Sequence, residues 1–345
     1  MVKYRLLVKH YPSQHYSTIF NPKTGFFARI EDRGCSEPRW AQIGPELLDL
    51  AVTNWCDREC ATCYRCSNKR GYHMPIKIYL TILKQAAKIG VMQVALGGGN
   101  PNQHPLFSDI LRATWEDHGV VPSFTTNGRG LTSQIVEASR KYCGAVAVTA
   151  HEPYDEMQLA VRRLVASGVK TNIHFVLNKS SVDTAISWLK NPPKALDGIN
   201  AIVFLNYKPV GRISDVEVVL HHSHRVREFF QLACSSIAPF RVGFDSCLVS
   251  GLVTHVNVNS VWFDACEAAR FSMFISERAI AFPCSFTEPN FKGIPVKENN
   301  LQQIWQESSL FRWFRNAILE PHCQSCSKTN ICMGGCPLFS EINLC

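Results

Sequence analysis

Between residues 46 and 212, short runs of apolar residues alternate with stretches in which apolar residues recur every three or four positions. The runs are typical of buried β-strands, and the three-to-four spacing is typical of amphipathic helices. The predicted strands are 47–54, 92–98, 122–127, 145–150, 170–177 and 200–207. The predicted helices are 76–90, 105–119, 132–144, 154–168 and 181–191. Four of these helices end at a glycine, the usual residue just after a helix C-terminus.

This alternation predicts an α/β fold with a parallel sheet and right-handed crossovers. Six strand–helix units are too few for a closed eightfold barrel, so we expect a partial (β/α)6 TIM-like barrel. Ligands of such sheets bind at the carboxyl ends of the strands. The segment C-D-R-E-C-A-T-C (56–63) follows the first predicted strand almost directly, which places its cysteines at that end.

The two ends of the chain follow a different pattern. Within residues 1–44, YSTIFNPKTGFFARIE predicts two short strands joined by the turn N-P-K-T-G. After residue 225 the alternation stops, and cysteines occur among Gly, Pro and Asn, with one predicted helix at 301–318. We therefore predict three parts: a β-hairpin element (1–44), the partial barrel (45–225) and a cysteine-rich C-terminal domain (226–345).

Ten of the fifteen cysteines fall into two spaced sets. The first set is Cys56, Cys60 and Cys63, spaced C-x3-C-x2-C. The second set is Cys323, Cys326, Cys332 and Cys336, spaced C-x2-C-x5-C-x3-C, together with Cys266, Cys284 and Cys345. Chance would produce the triplet roughly 0.03 times, and the four-cysteine string roughly 0.001 times, in such a chain. Grouped thiolates are the ligands of iron–sulfur clusters and of zinc.

A disulfide framework and a zinc site are the alternatives to a cluster for these cysteines. Disulfide frameworks belong to small secreted domains, whereas this chain has 345 residues, is 46% apolar and begins without a secretory signal. The C-terminal set alone also fits a structural zinc site. The N-terminal triplet lacks a fourth nearby ligand except Cys66, which we interpret as a neighbour of the site. Three thiolates holding three irons of a 4Fe–4S cluster would leave the fourth iron open for chemistry.

Charge and hydropathy exclude several classes of function. The formal net charge is +8, but the basic residues are dispersed and densest only at 67–73 and at Arg162–Arg163. Nucleic-acid binding requires a basic face with interleaved aromatic residues, so no nucleic acid is expected. No stretch approaches eighteen apolar residues, so we expect no membrane span and assign the chain to the reducing cytoplasm.

With the triplet after the first strand, residues 46–345 resemble the radical S-adenosylmethionine (SAM) superfamily, and the C-terminal part resembles the SPASM domain. The resemblance implies that Cys56, Cys60 and Cys63 hold a 4Fe–4S cluster whose fourth iron binds SAM. One-electron reduction would then cleave SAM to methionine and a 5′-deoxyadenosyl radical, which abstracts hydrogen from the substrate. By the same resemblance, Tyr64 occupies the place of an aromatic residue near the adenine.

A second motif, LGGGNPNQHPLF (96–107), stands where family members usually read G-G-E-P. Glycine lets a backbone approach a ligand where a Cβ would collide, so the resemblance implies backbone contacts to SAM in this loop. The segment NYKPVGR (206–212) resembles the part of SPASM enzymes that packs near the adenine. The SAM-pocket residues that the resemblance implies are Gly97, Gly98, Gly99, Asn100, Thr126, Asn127, Thr149, His151, His174 and Asn178.

The SPASM pattern is C-x(9–15)-G-x4-C, then C-x2-C-x5-C-x3-C, then a final cysteine. This chain matches it from Cys266 to Cys345, with Ala279 in the glycine position. The resemblance assigns auxiliary cluster II to Cys323, Cys326, Cys332 and Cys345. It assigns auxiliary cluster I to Cys266, Cys284 and Cys336, with Cys247 as the candidate fourth ligand. Without Cys247, the fourth iron would be open to substrate or water.

The resemblance implies a radical SAM oxidoreductase that modifies a ribosomally made precursor peptide, with auxiliary 4Fe–4S clusters as an electron relay. The product would be a crosslink, an epimer or a rearranged or excised backbone. Expected partners are the precursor peptide, a reductant such as flavodoxin or ferredoxin, and a separate leader-peptide-binding protein. Ser285 stands where sulfatase-maturing members carry an acidic residue. Two alternatives remain: a dehydrogenase of a small alcohol or sugar, and an iron–sulfur electron carrier or zinc-stapled binding module.

Overall fold

The computed structural model describes residues 6–235, 238–298, 300–321, 323 and 325–345. Its strands are β1 (Leu7–Tyr11), β2 (Tyr16–Asn21), β3 (Phe26–Glu31), β4 (Leu47–Thr53), β5 (Gln93–Gly98), β6 (Val121–Thr126), β7 (Val146–Thr149), β8 (Thr171–Leu177), β9 (Ala201–Asn206), β10 (Arg241–Phe244), β11 (Ser272–Ile275), β12 (Ile280–Phe282) and β13 (Ile294–Pro295). Its α-helices are α1 (Ile76–Ile89), α2 (Phe107–Arg112), α3 (Ser133–Tyr142), α4 (Asp155–Ala166), α5 (Val182–Lys190), α6 (His224–Ala233), α7 (Val249–His255), α8 (Leu301–Glu307), α9 (Ser309–Leu319) and α10 (Thr329–Cys332).

A large, mainly parallel sheet forms the centre of the molecule and confirms the predicted α/β class. Its strand order is β10-β9-β8-β7-β6-β5-β4-β11-β12-β13. Strands β4 to β9 are the six predicted strands, each within two residues of its expected bounds. Helices α1 to α5 connect them, and their apolar faces pack against the sheet in one continuous core.

The same sheet continues beyond the predicted domain boundary at residue 225, which lies in the first turn of α6. Strand β10 pairs in parallel with β9. Strand β11 pairs in parallel with β4 on the other side. Each of these strands has only four residues, too short for an alternation pattern to reveal it in the sequence.

Two predicted helices differ in the structure. The helix expected over 105–119 begins at Phe107 and passes into a π-helical turn at Ala113–Asp117. The helix expected over 301–318 is interrupted at Ser308, which separates α8 from α9. No helix in the described ranges is long and apolar enough to cross a membrane.

The predicted N-terminal hairpin is present as β2 and β3, and β1 adds a third antiparallel strand to it. This small sheet lies at the amino ends of the barrel strands. Lys170 Nζ, just before β8, donates to the carbonyl of Pro22 at 3.3 Å. Lys9 Nζ donates to the carbonyl of Ile89 at 2.8 Å. The carboxyl ends of the strands, where the chemistry was predicted, therefore face away from the N-terminal sheet.

Candidate functional site

The first cysteine set lies on a loop that leaves the carboxyl end of β4. Cys56 is buried, while Cys60 and Cys63 are partly exposed. The Cys63 N–H donates to the Cys60 carbonyl at 3.2 Å, which turns the loop back on itself. Burial raises the pKa of Cys60, and the nearby Cys63 and Cys56 thiols raise it further. The three thiols thus lie close enough together to influence one another's charge.

Two arginines and a glutamate hold this loop against the barrel. Glu156, in the first turn of α4, accepts hydrogen bonds from Arg58 of the loop and from Arg129 Nε, the latter at 2.6 Å. Arg129 also donates to the Asp57 carbonyl at 3.2 Å. The cysteine loop is therefore fixed to two neighbouring strand ends by charged side chains.

The segment after β9 clamps the same loop from the other side. The Arg212 backbone N–H donates to the Cys63 carbonyl at 3.1 Å, and its guanidinium donates to the Cys60 carbonyl at 3.0 Å. Gly211 has a φ of +105°, and a Cβ there would lie 2.4 Å from the Cys63 carbonyl oxygen. Only glycine permits this approach. In this structure, 206–212 packs against the cysteine backbone.

Side-chain nitrogens reach two of the sulfurs. Asn127 Nδ2 lies 3.6 Å from Cys56 Sγ, and His151 Nε2 lies 3.9 Å from Cys60 Sγ. Burial, helped by the Arg58 charge, lowers the pKa of His151 to about 4, so its ring is neutral near pH 7. Both residues were expected at the SAM pocket, and both lie directly beside the cysteine loop.

The glycine-rich loop after β5 packs against the chain that leaves β4. The Gly99 and Asn100 N–H groups donate to the Thr53 and Trp55 carbonyls at 2.7 and 2.9 Å. A Cβ on Gly98 would lie 2.0 Å from the Thr53 oxygen, and Gly98 has a φ of +110°. A Cβ on Gly97 would meet only Asp49 Oδ1, at 3.9 Å. Gly98 and Gly99 are thus required because the neighbouring backbone leaves no room for a Cβ.

Asn100 is buried and uses its side chain to join neighbouring loops. Its Oδ1 accepts from Thr126 Oγ1 at 3.1 Å and from the Asn127 N–H at 3.2 Å, while its Nδ2 donates to the Arg129 carbonyl at 3.1 Å. A glutamate, as in the usual motif, has no N–H with which to make the last of these bonds. Asn100 and Thr126 therefore hold the β5 and β6 loops together.

The remaining predicted pocket residues lie farther along the strand ends. His174 is paired with Thr149 across β7 and β8, and its Nδ1 lies 3.3 Å from Thr125 Oγ1. Burial lowers the pKa of His174 to about 4. Asn178 uses its Oδ1 to accept the N–H groups of residues 180 and 181, which makes it a turn residue.

Tyr64 turns from the cysteine loop towards the C-terminal part of the chain. Its ring centroid lies 4.6 Å from that of Phe286. Burial raises the pKa of Tyr64 to about 12. The next residue, Arg65, is buried and pairs with Glu277 and Glu288. These contacts connect the first cysteine set to the region of Cys284.

A cavity of about 190 Å³ between the barrel and the C-terminal segments is lined by Cys247, Cys266, Cys284 and Cys336. The neighbouring Cys336 thiol raises the pKa of Cys247, and Cys247 in turn raises the pKa of Cys266 and of Cys284. These are the three cysteines expected around auxiliary cluster I and its candidate fourth ligand. The structure brings all four together.

Charged side chains complete the lining of this cavity. Burial raises the pKa of Asp49 to about 7, against the opposing charge of Arg65. Burial alone would lower the pKa of Lys208, but its ion pair with Asp245 and the nearby Cys247 raise it above the ordinary value. The cavity therefore combines soft thiol donors with a buried cation.

The second C-terminal group forms around α10. Burial raises the pKa of Cys332, and the thiols of Cys323, Cys345 and Cys326 raise it further. These are the residues expected to hold auxiliary cluster II, and the structure gathers them as well. Asn343 accepts the Cys336 N–H at 2.8 Å, and a Cβ on Gly335 would lie 2.2 Å from that oxygen.

The arrangement of the cysteines bears on whether they would hold single metal ions or iron–sulfur clusters. Among the described residues, no three His, Cys, Asp or Glu side chains converge on a point suited to a single metal ion. A 4Fe–4S cluster spreads its ligands, because each sulfur binds a different iron. The cysteines form three groups that consist only of thiols, one with three members and two with four. Thiolates are the ligands of iron–sulfur clusters, so the chemistry of all three groups fits 4Fe–4S clusters.

Four arginines and one glutamate around the cysteine loop were not predicted from the sequence. The missed residues are Arg58, Arg65, Arg129, Glu156 and Arg212. Arg58 and Glu156 are 98 positions apart, so no local spacing joins them. Arg129 could have been noticed, because it follows Thr126 and Asn127 at a predicted strand end.

Residues 50–179 match the family model of the radical SAM superfamily. The mycofactocin maturase MftC of Mycolicibacterium smegmatis is 23% identical over 323 residues, covering 85% of this chain and 78% of that protein. The PqqA peptide cyclase of Rhizobium meliloti is 23% identical over 323 residues, covering 86% of this chain and 83% of that protein.

Two solved structures share the fold. Streptococcus suis SuiB bound to S-adenosylmethionine aligns with a TM-score of 0.74 and 17% identity, over 96% of this chain and 94% of that one. Native anSMEcpe with bound AdoMet aligns with a TM-score of 0.60 and 15% identity, over 84% of this chain and 89% of that one.

Proposed function

This chain carries a radical SAM domain at residues 50–179, and from that premise we propose that it is a peptide maturase. The domain implies a 4Fe–4S cluster and SAM. The observation that carries the proposal is the group of three thiols on one loop at the carboxyl end of β4, in the C-x3-C-x2-C spacing. Cys56, Cys60 and Cys63 would hold the cluster, with one iron left for SAM.

When bound, the cluster supplies the electron that cleaves SAM to methionine and a 5′-deoxyadenosyl radical, which removes a hydrogen atom from the substrate. The protein's own residues keep the loop in place. Glu156 holds Arg58 and Arg129, and Arg212 holds the carbonyls of Cys60 and Cys63. Preorganised ligands lose less conformational freedom when the cluster binds.

A large cavity near the cysteines proposed for auxiliary cluster I offers room for part of a peptide. A cavity of about 1070 Å³ opens beside the edge strand β10 and shares Ser246 and Glu267 with the cysteine-lined cavity. Pockets for drug-sized ligands occupy about 300–1,000 Å³. Trp262 at its rim is 81% exposed, as expected of a side chain that a larger partner covers.

The named relatives point in the same direction. MftC is a mycofactocin maturase, and the second relative is a cyclase of the PqqA peptide. SuiB has been solved bound to its precursor peptide SuiA, in a structure that aligns with a TM-score of 0.69. A precursor peptide is accordingly the substrate class we assign to this chain.

Two auxiliary clusters are part of the proposal. Cys247, Cys266, Cys284 and Cys336 would hold auxiliary cluster I, and Cys323, Cys326, Cys332 and Cys345 would hold auxiliary cluster II. Cluster I would accept the electron that a substrate radical must lose to become a closed-shell product. The buried Lys208 favours that step, because a nearby cation stabilises added negative charge.

A flavodoxin or ferredoxin would deliver the electron that starts the reaction. A separate leader-peptide-binding protein would present the substrate. Cysteines that serve as cluster ligands must stay reduced, so we place the protein in the reducing cytoplasm.

The proposal is tested by anaerobic reconstitution followed by iron and sulfide analysis and a SAM-cleavage assay. Three clusters predict about twelve irons per chain, and the reduced protein should convert SAM to 5′-deoxyadenosine. Replacing Cys56, Cys60 and Cys63 together by alanine should remove about four irons and abolish 5′-deoxyadenosine formation. The exposed Cys35, replaced by serine, is the matched control and should change neither.

Reduced protein that binds iron but leaves SAM intact would overturn the enzyme assignment and favour an electron carrier. About four irons together with zinc would mean that only the barrel holds a 4Fe–4S cluster and that the two auxiliary clusters are absent. Oxidation of a small alcohol, with no change to any peptide encoded beside the gene, would favour the dehydrogenase.

A further inference from the structure

Side-chain nitrogens from neighbouring strand ends contact the sulfurs of two of the three barrel cysteines. Asn127, just after β6, places Nδ2 at 3.6 Å from Cys56 Sγ. His151, two residues after β7, places Nε2 at 3.9 Å from Cys60 Sγ. The resemblance to the family led us to expect both side chains at SAM, whereas here each faces a cysteine sulfur.

The orientation of the Asn127 amide follows from its other bonds. Its Oδ1 accepts the Arg129 N–H at 2.9 Å, so Nδ2 is the atom turned towards the sulfur. The Asn127 backbone N–H is in turn held by Asn100 Oδ1 at 3.2 Å. Asn127 is therefore an anchored donor with a defined direction.

The His151 contact has a defined direction once iron is bound. A thiolate ligand carries no proton and acts only as an acceptor, so the contact requires the proton on Nε2. A neutral imidazole has one N–H to give, and Cys60 Sγ lies within hydrogen-bonding distance of Nε2. His151 thus becomes a donor to Cys60 when the loop holds its cluster.

Hydrogen bonds to cluster sulfurs change the reduction potential, because they draw electron density from sulfur and stabilise the more negative, reduced state. We propose that Asn127 and His151 raise the reduction potential of the cluster held by Cys56, Cys60 and Cys63. These contacts would therefore determine what fraction of the cluster an external reductant can reduce before SAM is cleaved. The inference rests on the proposed function, because it requires that cluster to be present.

The experiment is an EPR-monitored redox titration of the reconstituted full-length protein without SAM. His151→Phe keeps a planar ring and removes the N–H, whereas His151→Gln keeps an N–H donor. His151→Phe should lower the potential by about 59 mV, a tenfold loss in the reduced-to-oxidised ratio at fixed potential. His151→Gln should stay close to the unmodified protein. His118→Phe is the matched control, because His118 lies just before the amino end of β6, opposite the cysteine loop, and should leave the potential unchanged.

The inference fails if His151→Phe leaves the potential unchanged or raises it. It also fails if His151→Gln shifts it as far as His151→Phe, since loss of the N–H would then not be the cause. If His151→Phe does not retain iron, the unmodified protein is labelled with 15N-histidine, and its reduced cluster is examined for a 15N coupling. A 15N coupling to the reduced cluster supports the contact, and its absence overturns it. Absence of any 4Fe–4S signal in the unmodified protein would instead refute the proposed function.

Discussion

Gly99 packs closely against the backbone that leaves β4, although its φ is not positive. A Cβ there would lie 2.1 Å from the Trp55 carbonyl oxygen. Gly99→Ala should therefore displace the β5 loop and lower the free energy of unfolding by about 1–3 kcal/mol, the usual cost of overpacking. Urea titration of the anaerobic protein measures the change.

Gly97→Ala is the matched control for that prediction. A Cβ on Gly97 would meet only Asp49 Oδ1, at 3.9 Å. Alanine is favoured over glycine in a strand, so this variant should be neutral or more stable by up to about 1 kcal/mol. Equal losses for the two alanine variants would show that close approach at Gly99 is not the cause.

The sequence indicated some candidate site residues more clearly than others. Cysteine sets could be recognised because ligands on one loop keep a characteristic local spacing. Polar residues at strand ends, such as Thr126 and Asn178, carry no such signal, since the same residue types serve turns and caps. The structure shows both of them holding loops together.

At the scale of elements, Arg29 of β3 joins the small N-terminal sheet to the rest of the chain. Its side chain is 5% exposed and pairs with Glu46, which is 4% exposed, at 2.8 Å. Asp264 lies at 2.9 Å from the same guanidinium. Arg29→Met would leave Glu46 buried without its partner, at an expected cost of about 3–5 kcal/mol.

The loss should depend on pH. Burial already raises the pKa of Glu46, and removing Arg29 would raise it further. A carboxyl whose folded pKa is raised is least costly when protonated, so the destabilisation by Arg29→Met should grow as the pH rises above the ordinary carboxyl range. Urea titrations at several pH values test this.

Arg33→Met is the control, because Arg33 is exposed beyond the end of β3. Its effect should stay within about 0.5 kcal/mol. The double variant Arg29→Met with Glu46→Leu should recover part of the loss, because the most deeply buried carboxylate that lost its partner is then removed as well. Equal stability of the single and double variants would argue against this explanation.

Elements were predictable where the chain repeats a long pattern. Helix α1 buries Tyr79, Ile82, Leu83 and Ala86 on one face and ends at Gly90, whose φ is +88°. The interruption at Ser308 was missed, because apolar spacing runs through both α8 and α9. Strand β1 was missed as well, because its short sequence does not indicate a strand and its stability comes from pairing with β2.

At the scale of the whole molecule, the cysteine cavity joins segments that are distant in the chain. Cys247 precedes α7, Cys284 follows β12 and Cys336 follows α10. Metal binding to ligands from separate segments contributes folding free energy, because the unbound segments lose their link. If these cysteines hold clusters as proposed, removing the clusters should therefore loosen residues 325–345, which contain only α10 and a short 3-10 turn.

Hydrogen exchange of reconstituted and chelator-treated protein measures this effect. Amides of 325–345 should exchange at least about tenfold faster after chelation, equivalent to about 1.4 kcal/mol. Helix α3, on the opposite part of the sheet, is the internal control and should change little. Equal protection of 325–345 in both states would show that no bound group stabilises this region.

The sequence by itself determined the strand–helix alternation and the membership of the cysteine sets, because both are periodic or local patterns. Only the tertiary structure decided what surrounds the sulfurs. Cys247 meets Cys336, and Glu156 meets Arg58 across 98 positions. Such contacts depend on which strand ends are neighbours in the sheet, and no spacing along the chain encodes that. The donors to Cys56 and Cys60 became identifiable only when β6 and β7 were placed beside the cysteine loop.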